Sequence, residues 1–364
     1  MKNKRLTILL TLTFFLMTAA GGCAFSGEDT REPSSSEQES EEVSQEEDQA
    51  EEDFFAMDTY MSFSAYGEGA DAALKKARDR VEQLETEWSV TDESSEIYKI
   101  NHSAGEKVTL SEDTAEILNF ALDMAKRTGG ALEPTIYPVL RAWGFTTDEN
   151  RIPGEEEIKS LLENVDYERV SLEGNEIQLP EGMELDLGAV GKGYAGDEAA
   201  KVLREEGISS ALLNLGGNVQ AIGSRPDGAD WRLGIQNPFG EGYVGILTIS
   251  DRAVVTSGNY ERYFVGEDGK TYGHIIDPST GYPADNGLVS VSIIAEEGKM
   301  GDALSTSLFV MGREKAEEFW RENPYFDMIL VTEDGNIYLT EGIQEQFSLE
   351  SPFAGEQLHI LEQE

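Results

Sequence analysis

Between Glu28 and Asp53 the chain carries thirteen acidic residues against one arginine, Arg31, with serines and glutamines filling most of the gaps. Such a stretch has too few apolar side chains to offset the entropy lost on ordering, and its like charges repel one another. It predicts a disordered acidic tether over residues 23–53 and confines folding to residues 54–364. Fully extended, the tether would reach at most ~100 Å. Ahead of it, Lys2, Lys4 and Arg5 precede an apolar run over residues 6–17. A basic start before a short apolar core is the pattern of a signal peptide, here residues 1–22. A membrane-spanning helix needs roughly 20 apolar residues, more than this run offers.

The leader ends in Ala19, Ala20, Gly21 and Gly22, which run straight into Cys23, the only cysteine. This resembles a bacterial lipobox, with Ala20 where leucine is usual. The resemblance implies lipidation of Cys23 and anchoring on the extracytoplasmic face of the cell membrane. A lone cysteine also forbids an internal disulfide, so the fold must stand on its core. Most of the net charge of −43 remains on the part after the tether. That balance argues against nucleic acid or an anionic lipid surface as partner.

Past residue 54 the pattern alternates. Leu74, Ala77, Val81, Leu84 and Trp88 recur at helical spacing and predict an amphipathic helix. Ser111 reads as an N-cap with Glu112 and Asp113 behind it, and Lys126 and Arg127 close that helix before Gly129. A hairpin is expected over residues 170–179, turning at Gly174 and Asn175. Short strands are expected over residues 211–215, 231–235, 245–249, 289–294, 328–331 and 337–339. Helices are expected over 192–206, 302–310 and 313–322. Strand groups mixed with helices, without a regular βαβ rhythm, point to an α+β fold.

Four segments carry candidate chemistry. His274 opens the stretch HIIDPSTGYP, where Asp277-Pro278 and Ser279-Thr280-Gly281 set a rigid turn behind a strand end. A histidine titrates near neutrality, so it can serve as a base, although most single histidines are structural. Asp186 to Ala195, DLGAVGKGYA, reads as a strand end, a glycine loop and a helix start. Exposed N–H groups and Lys192 there suit a phosphate, or the glycines simply make a turn. Asp302 and Thr306 stand four apart on an expected helix and face one way. A carboxylate with a hydroxyl is a hard-oxygen pair of the kind Mg²⁺ accepts, though such pairs are commonest on solvated helix faces. Thr256-Ser257-Gly258 ends an apolar strand with hydroxyls. With no cluster of cysteine and histidine, a zinc site is not expected.

In this order the segments resemble the ApbE family of FAD:protein FMN transferases, from Met57 to about Leu339. The blocks that carry it are MDTY from Met57, SEIYKIN from Ser95, GALEPT from Gly130 with WGF from Trp143, and DLGAVGKGY from Asp186. They continue with LGG from Leu215, residues 231–238, TSG from Thr256, HIIDPSTGYP from His274 and DALST from Asp302. The family usually carries Asp at Glu133, Phe at Leu132, Gly at Asp58 and an aromatic at Thr91.

The resemblance implies an α+β fold related to the T-fold, with FAD as substrate and Mg²⁺ as cofactor. It implies transfer of FMN to a Thr or Ser hydroxyl of another protein, with release of AMP. Acceptors would be flavoproteins of extracytoplasmic electron transport. By motif position, Asp302, Thr306 and the main-chain oxygen of Ala189 would hold the metal. Met57, Ala131, Leu132, Glu133, Asp186, Lys192 and Ile275 would contact FAD, and His274 would lie beside the reacting phosphate. An alcohol nucleophile benefits from a positioned base, for which His274 is the candidate, or His274 only orients a phosphate. Two alternatives stay open: an FAD pyrophosphatase giving FMN and AMP, and a flavin-binding lipoprotein without activity.

Overall fold

A computed structural model of the chain describes residues 49–147, 149–353 and 355–363. The signal peptide, Cys23 and most of the expected tether lie outside the described residues. Eight helices are described: α1 (Ala70–Trp88), α2 (Glu96–Asn101), α3 (Glu112–Arg127), α4 (Tyr137–Trp143), α5 (Glu155–Leu162), α6 (Gly191–Glu205), α7 (Gly298–Met311) and α8 (Arg313–Glu322). The caps read from sequence are in place: Ser111 Oγ accepts the Thr114 N–H at the start of α3.

Nine strands form one sheet whose spatial order follows chain order. They are Gln49–Ala56, Thr59–Tyr66, Ser210–Leu215, Asn218–Ile222, Ala253–Gly258, Leu288–Ala295, Asp327–Thr332, Ile337–Thr340 and Leu358–Leu361. Neighbours pair antiparallel except the last two, which run parallel. Side chains alternate across a strand, so the two faces have separate cores. Ile293, Met328 and Leu330 join Leu74, Leu203 and Leu308 under the helices. Ile294, Ile329 and Val331 meet Trp231, Leu233 and Leu247 of a second, three-stranded sheet on the other face. The predicted α+β arrangement is the one observed.

The first strand corrects the tether. It begins at Gln49, so residues 49–53, expected to be disordered, pair with Thr59–Tyr66. The acids there fit a sheet edge. Glu51 and Asp53 face solvent, while Glu52, between them, meets Arg78 of α1 at 2.5 Å. Phe54 then packs edge-on against Phe63, with ring centroids 5.1 Å apart. Apolar anchoring beyond the acidic run outweighs its repulsion.

A third cluster positions the His274 stretch. Val139, Trp143, Phe145 and Ile158 of the α4–α5 region enclose Ile276, with Phe264, Tyr272 and Tyr282 packed around them. Trp143 Nε1 donates to the Gly281 oxygen at 2.8 Å. Asp277 Oδ1 accepts from Ser279 N and Oγ at 2.8 and 2.7 Å, which fixes the turn.

Candidate active site

Helices α6 and α7 meet at two glycines. A Cβ on Gly193 would lie 2.2 Å from the Gly298 oxygen, and one on Gly298 would lie 2.6 Å from the Gly193 oxygen. Only glycine allows this approach, and it brings each helix start within reach of the other helix. Asp302 of α7 accepts the Gly193 N–H at 2.8 Å. Asp197 of α6 accepts the Gly298 and Lys299 N–H groups at 2.6 and 2.9 Å. These are donors that a helix start leaves without partners. Burial pushes the Asp197 carboxyl up to about 6, against the pull of the two N–H groups.

Other groups at this helix start stay open. Ala189 lies ahead of α6, four residues before Gly193, whose N–H goes to Asp302 rather than to the Ala189 oxygen. Among the described residues no hydrogen bond occupies the Ala189 oxygen or the Lys192 N–H. Asp302 is buried at 3 % exposure, so it is no solvated surface charge. Its Oδ1 accepts from Asn218 Nδ2 at 3.1 Å. A carboxylate offers about four lone-pair positions, so these two bonds leave capacity for a cation. Thr306, one turn along α7, is half-buried with its hydroxyl 3.4 Å from Ser257 Oγ. Ser257 also bonds Ser305 Oγ at 2.8 Å. No group of three His, Cys, Asp or Glu side chains among the described residues could hold a metal. One carboxylate with neutral oxygens suits Mg²⁺, which keeps waters and takes substrate phosphates.

His274 lies near enough to Lys192 to feel its charge. Its backbone N–H and its Nδ1 both lie 3.1 Å from the Arg262 oxygen. A carbonyl only accepts, so Nδ1 carries the proton and Nε2 keeps its lone pair. Burial, together with the charge of Lys192, lowers the imidazole to about 4. His274 is therefore neutral at physiological pH and able to accept a proton. Asp186 feels the same cations: burial raises its carboxyl, while the Gly188 N–H, Lys192 and Arg262 pull it down. No strand leads into Asp186, contrary to expectation. Glu184 makes only an isolated bridge to Ile136, and the Pro134 oxygen accepts the Asp186 N–H at 2.9 Å.

That bond places the Ala131–Glu133 segment beside Asp186. Leu132 is buried in the core, and the Glu133 carboxylate is spent on Thr135 and on the Tyr167 N–H. The contacts this segment leaves for a ligand are those of its main chain and of half-buried Ala131. Ile275 is buried beside His274. Met57 and Asp58 form a two-residue hairpin turn at φ 50° and 59°, the left-handed geometry such turns demand. The Met57 N–H donates to Glu85 Oε1 at 2.7 Å, and Asp58 reaches Arg262 at 3.7 Å. Thr91 is exposed.

Sequence reasoning missed Asn218, Asp197 and Glu261. Asn218 had one signal, a polar residue opening an apolar strand. Glu261 interacts electrostatically with Lys192 and Asp302. Desolvation and the Asp302 charge raise its carboxyl against the pull of Lys192, although its surface stays open to solvent, which screens the effect.

The sequence model of the ApbE family matches residues 57–330. The chain belongs to the ApbE family. It is 34% identical over 291 residues to the FAD:protein FMN transferase of Treponema pallidum, covering 75% of this chain and 80% of that protein. It is 34% identical over 285 residues to one from Klebsiella pneumoniae, covering 76% of this chain and 88% of that protein. The ApbE protein of Thermotoga maritima shares its fold at a TM-score of 0.78 and 32% identity, over 82% of this chain and 99% of that one. The flavin transferase ApbE from Vibrio cholerae matches at 0.76 and 26% identity, with the same coverage. The ApbE fold expected from the sequence motifs is the fold observed.

Proposed function

We propose that this chain transfers the FMN half of FAD to a threonine or serine hydroxyl of an extracytoplasmic acceptor protein, releasing AMP. Relatives named FAD:protein FMN transferase support the activity. The observation within this chain that carries it is His274, neutral and fixed by the Arg262 oxygen with Nε2 unprotonated. An alcohol is a poor nucleophile at neutral pH until a positioned base takes its proton. The acceptor oxygen attacks the FMN phosphorus, His274 Nε2 receives the hydroxyl proton, and the bond to the bridging oxygen breaks so that AMP leaves with it.

Lys192 and the N-terminus of α6 offset the charge of the pyrophosphate. Asp302, Thr306 and the Ala189 oxygen would hold Mg²⁺, which when bound neutralises charge on the transferring and leaving phosphates. Met57, the main chain of residues 131–133, Asp186 and Ile275 would hold the flavin nucleotide. The T-fold relationship rests on the family resemblance.

The direct test is Asp302→Ala, which should abolish AMP release while far-UV circular dichroism stays that of the parent. Activity unchanged across a range of Mg²⁺ concentrations would count against the assignment. No described helix is long and apolar enough to cross a membrane. The reading assigns anchoring to Cys23 on its lipobox-like context, since two acyl chains hold a protein stably where one does not. Cys23→Ser should release the chain from the membrane fraction; continued fatty-acid labelling would rule out the lipobox.

A further inference from the structure

The four most exposed large apolar side chains among the described residues are Phe55 at 67 %, Tyr60 and Val265 at 61 %, and Tyr263 at 54 %. They sit on two hairpins. Phe55 and Tyr60 are directly opposite each other beside the Met57–Asp58 turn. Tyr263 and Val265 are two apart on the strand Tyr263–Val265, so they share a face, and this strand pairs with Thr271–Gly273, which leads into His274. The Asp58–Arg262 ion pair at 3.7 Å joins the two hairpins. Arg262 also holds His274 through its carbonyl. The exposed apolar surface therefore flanks the stretch that carries His274.

Single apolar residues on a surface need no explanation, whereas a cluster of aromatics left this exposed marks a binding surface. Aromatic side chains are also the usual anchors of protein interfaces. The reaction supplies the occupant. A hydroxyl must come within hydrogen-bond reach of His274 Nε2, so the protein that bears it must lie over this rim.

We infer that the two hairpins form the docking surface for the acceptor protein, an inference that rests on the transfer reading above. Glu51 and Asp53 alternate with Phe55 on the exposed face of the first strand. The acceptor that fits presents its hydroxyl on a protruding segment with an apolar neighbour, flanked by basic residues that complement those acids.

The probe is a purified acceptor protein that the wild-type chain flavinylates. The variants are Phe55→Ser/Tyr60→Ser together, and Val265→Ser. These side chains are exposed, so the fold should hold, and unchanged thermal melting checks that it does. The acceptor KM should rise by about tenfold or more, the scale of losing an interface anchor. The FAD Kd from flavin fluorescence and the kcat at saturating acceptor should stay as in the parent. Added salt should raise the wild-type acceptor KM. An acceptor KM unchanged in both variants overturns the docking surface. So does sedimentation showing a wild-type dimer that the variants split, because the rim would then belong to a second copy. If the wild-type chain places FMN on no acceptor, the transfer reading fails, and the docking surface with it.

Discussion

Asp302 sits on α7 and caps α6, while Asp197 sits on α6 and caps α7. This exchange fixes the start of α6, with Lys192, against the turn of α7 that presents Asp302 and Thr306. It depends on backbone contact at Gly193 and Gly298, so the smallest added side chain should disturb it.

Gly193→Ala places a methyl 2.2 Å from a backbone oxygen that cannot swing aside. The helices must part, at a cost of about 1–3 kcal/mol for an overpacked contact. Urea unfolding should show a lower midpoint with an unchanged slope. A midpoint equal to the parent's would mean that the approach is not the constraint described.

Asn218→Ala removes the donor to Asp302 Oδ1. An outer partner of a metal-binding carboxylate typically contributes ~10–100-fold to metal affinity. The Mg²⁺ concentration for half-maximal AMP release should rise by that factor, with the rate recovering at saturating Mg²⁺. A lower rate that added Mg²⁺ does not restore would place Asn218 outside the metal's support.

His274→Ala should lower kcat for transfer by roughly 10²–10⁴-fold, the range for a lost general base, with FAD affinity little changed. The pH dependence follows from the imidazole lying at about 4. Above that value His274 is neutral and can take a proton. As pH falls through it, protonation removes the base. The kcat/KM profile, which reports the free enzyme, should stay flat from neutrality down toward 4 and then decline. An acid limb centred at the ordinary histidine value of about 6.5 would contradict the desolvated, cation-flanked environment of this half-buried ring.

Local signals made much of this fold readable in advance. Ser111 and the apolar spacing from Leu74 to Trp88 act within one helix, and both elements formed as expected. The block order around Asp186, His274 and Asp302 also gave the family. What stayed hidden depends on partners far apart in the chain. Gly193 and Asp302 are separated by 109 residues, and nothing near either announces their bond. The helix expected over residues 302–310 starts four residues earlier, at Gly298, because Asp197 caps that turn from another helix. The edge strand was hidden by its own acids, whose alternation makes sense only beside Arg78 and Phe63.

On this reading a protein hydroxyl, held against the phosphorus beside His274, outcompetes water. Positioned groups reach effective molarities of ~10⁵ M or more, so water's abundance need not prevail. The decisive measurement is mass spectrometry of an extracytoplasmic acceptor after incubation with the wild-type chain, FAD and Mg²⁺. The expected result is FMN bound covalently to one threonine or serine of the acceptor, with one AMP released for each transfer. Free FMN and AMP alone, with every acceptor unmodified, would contradict it and leave the chain an FAD pyrophosphatase.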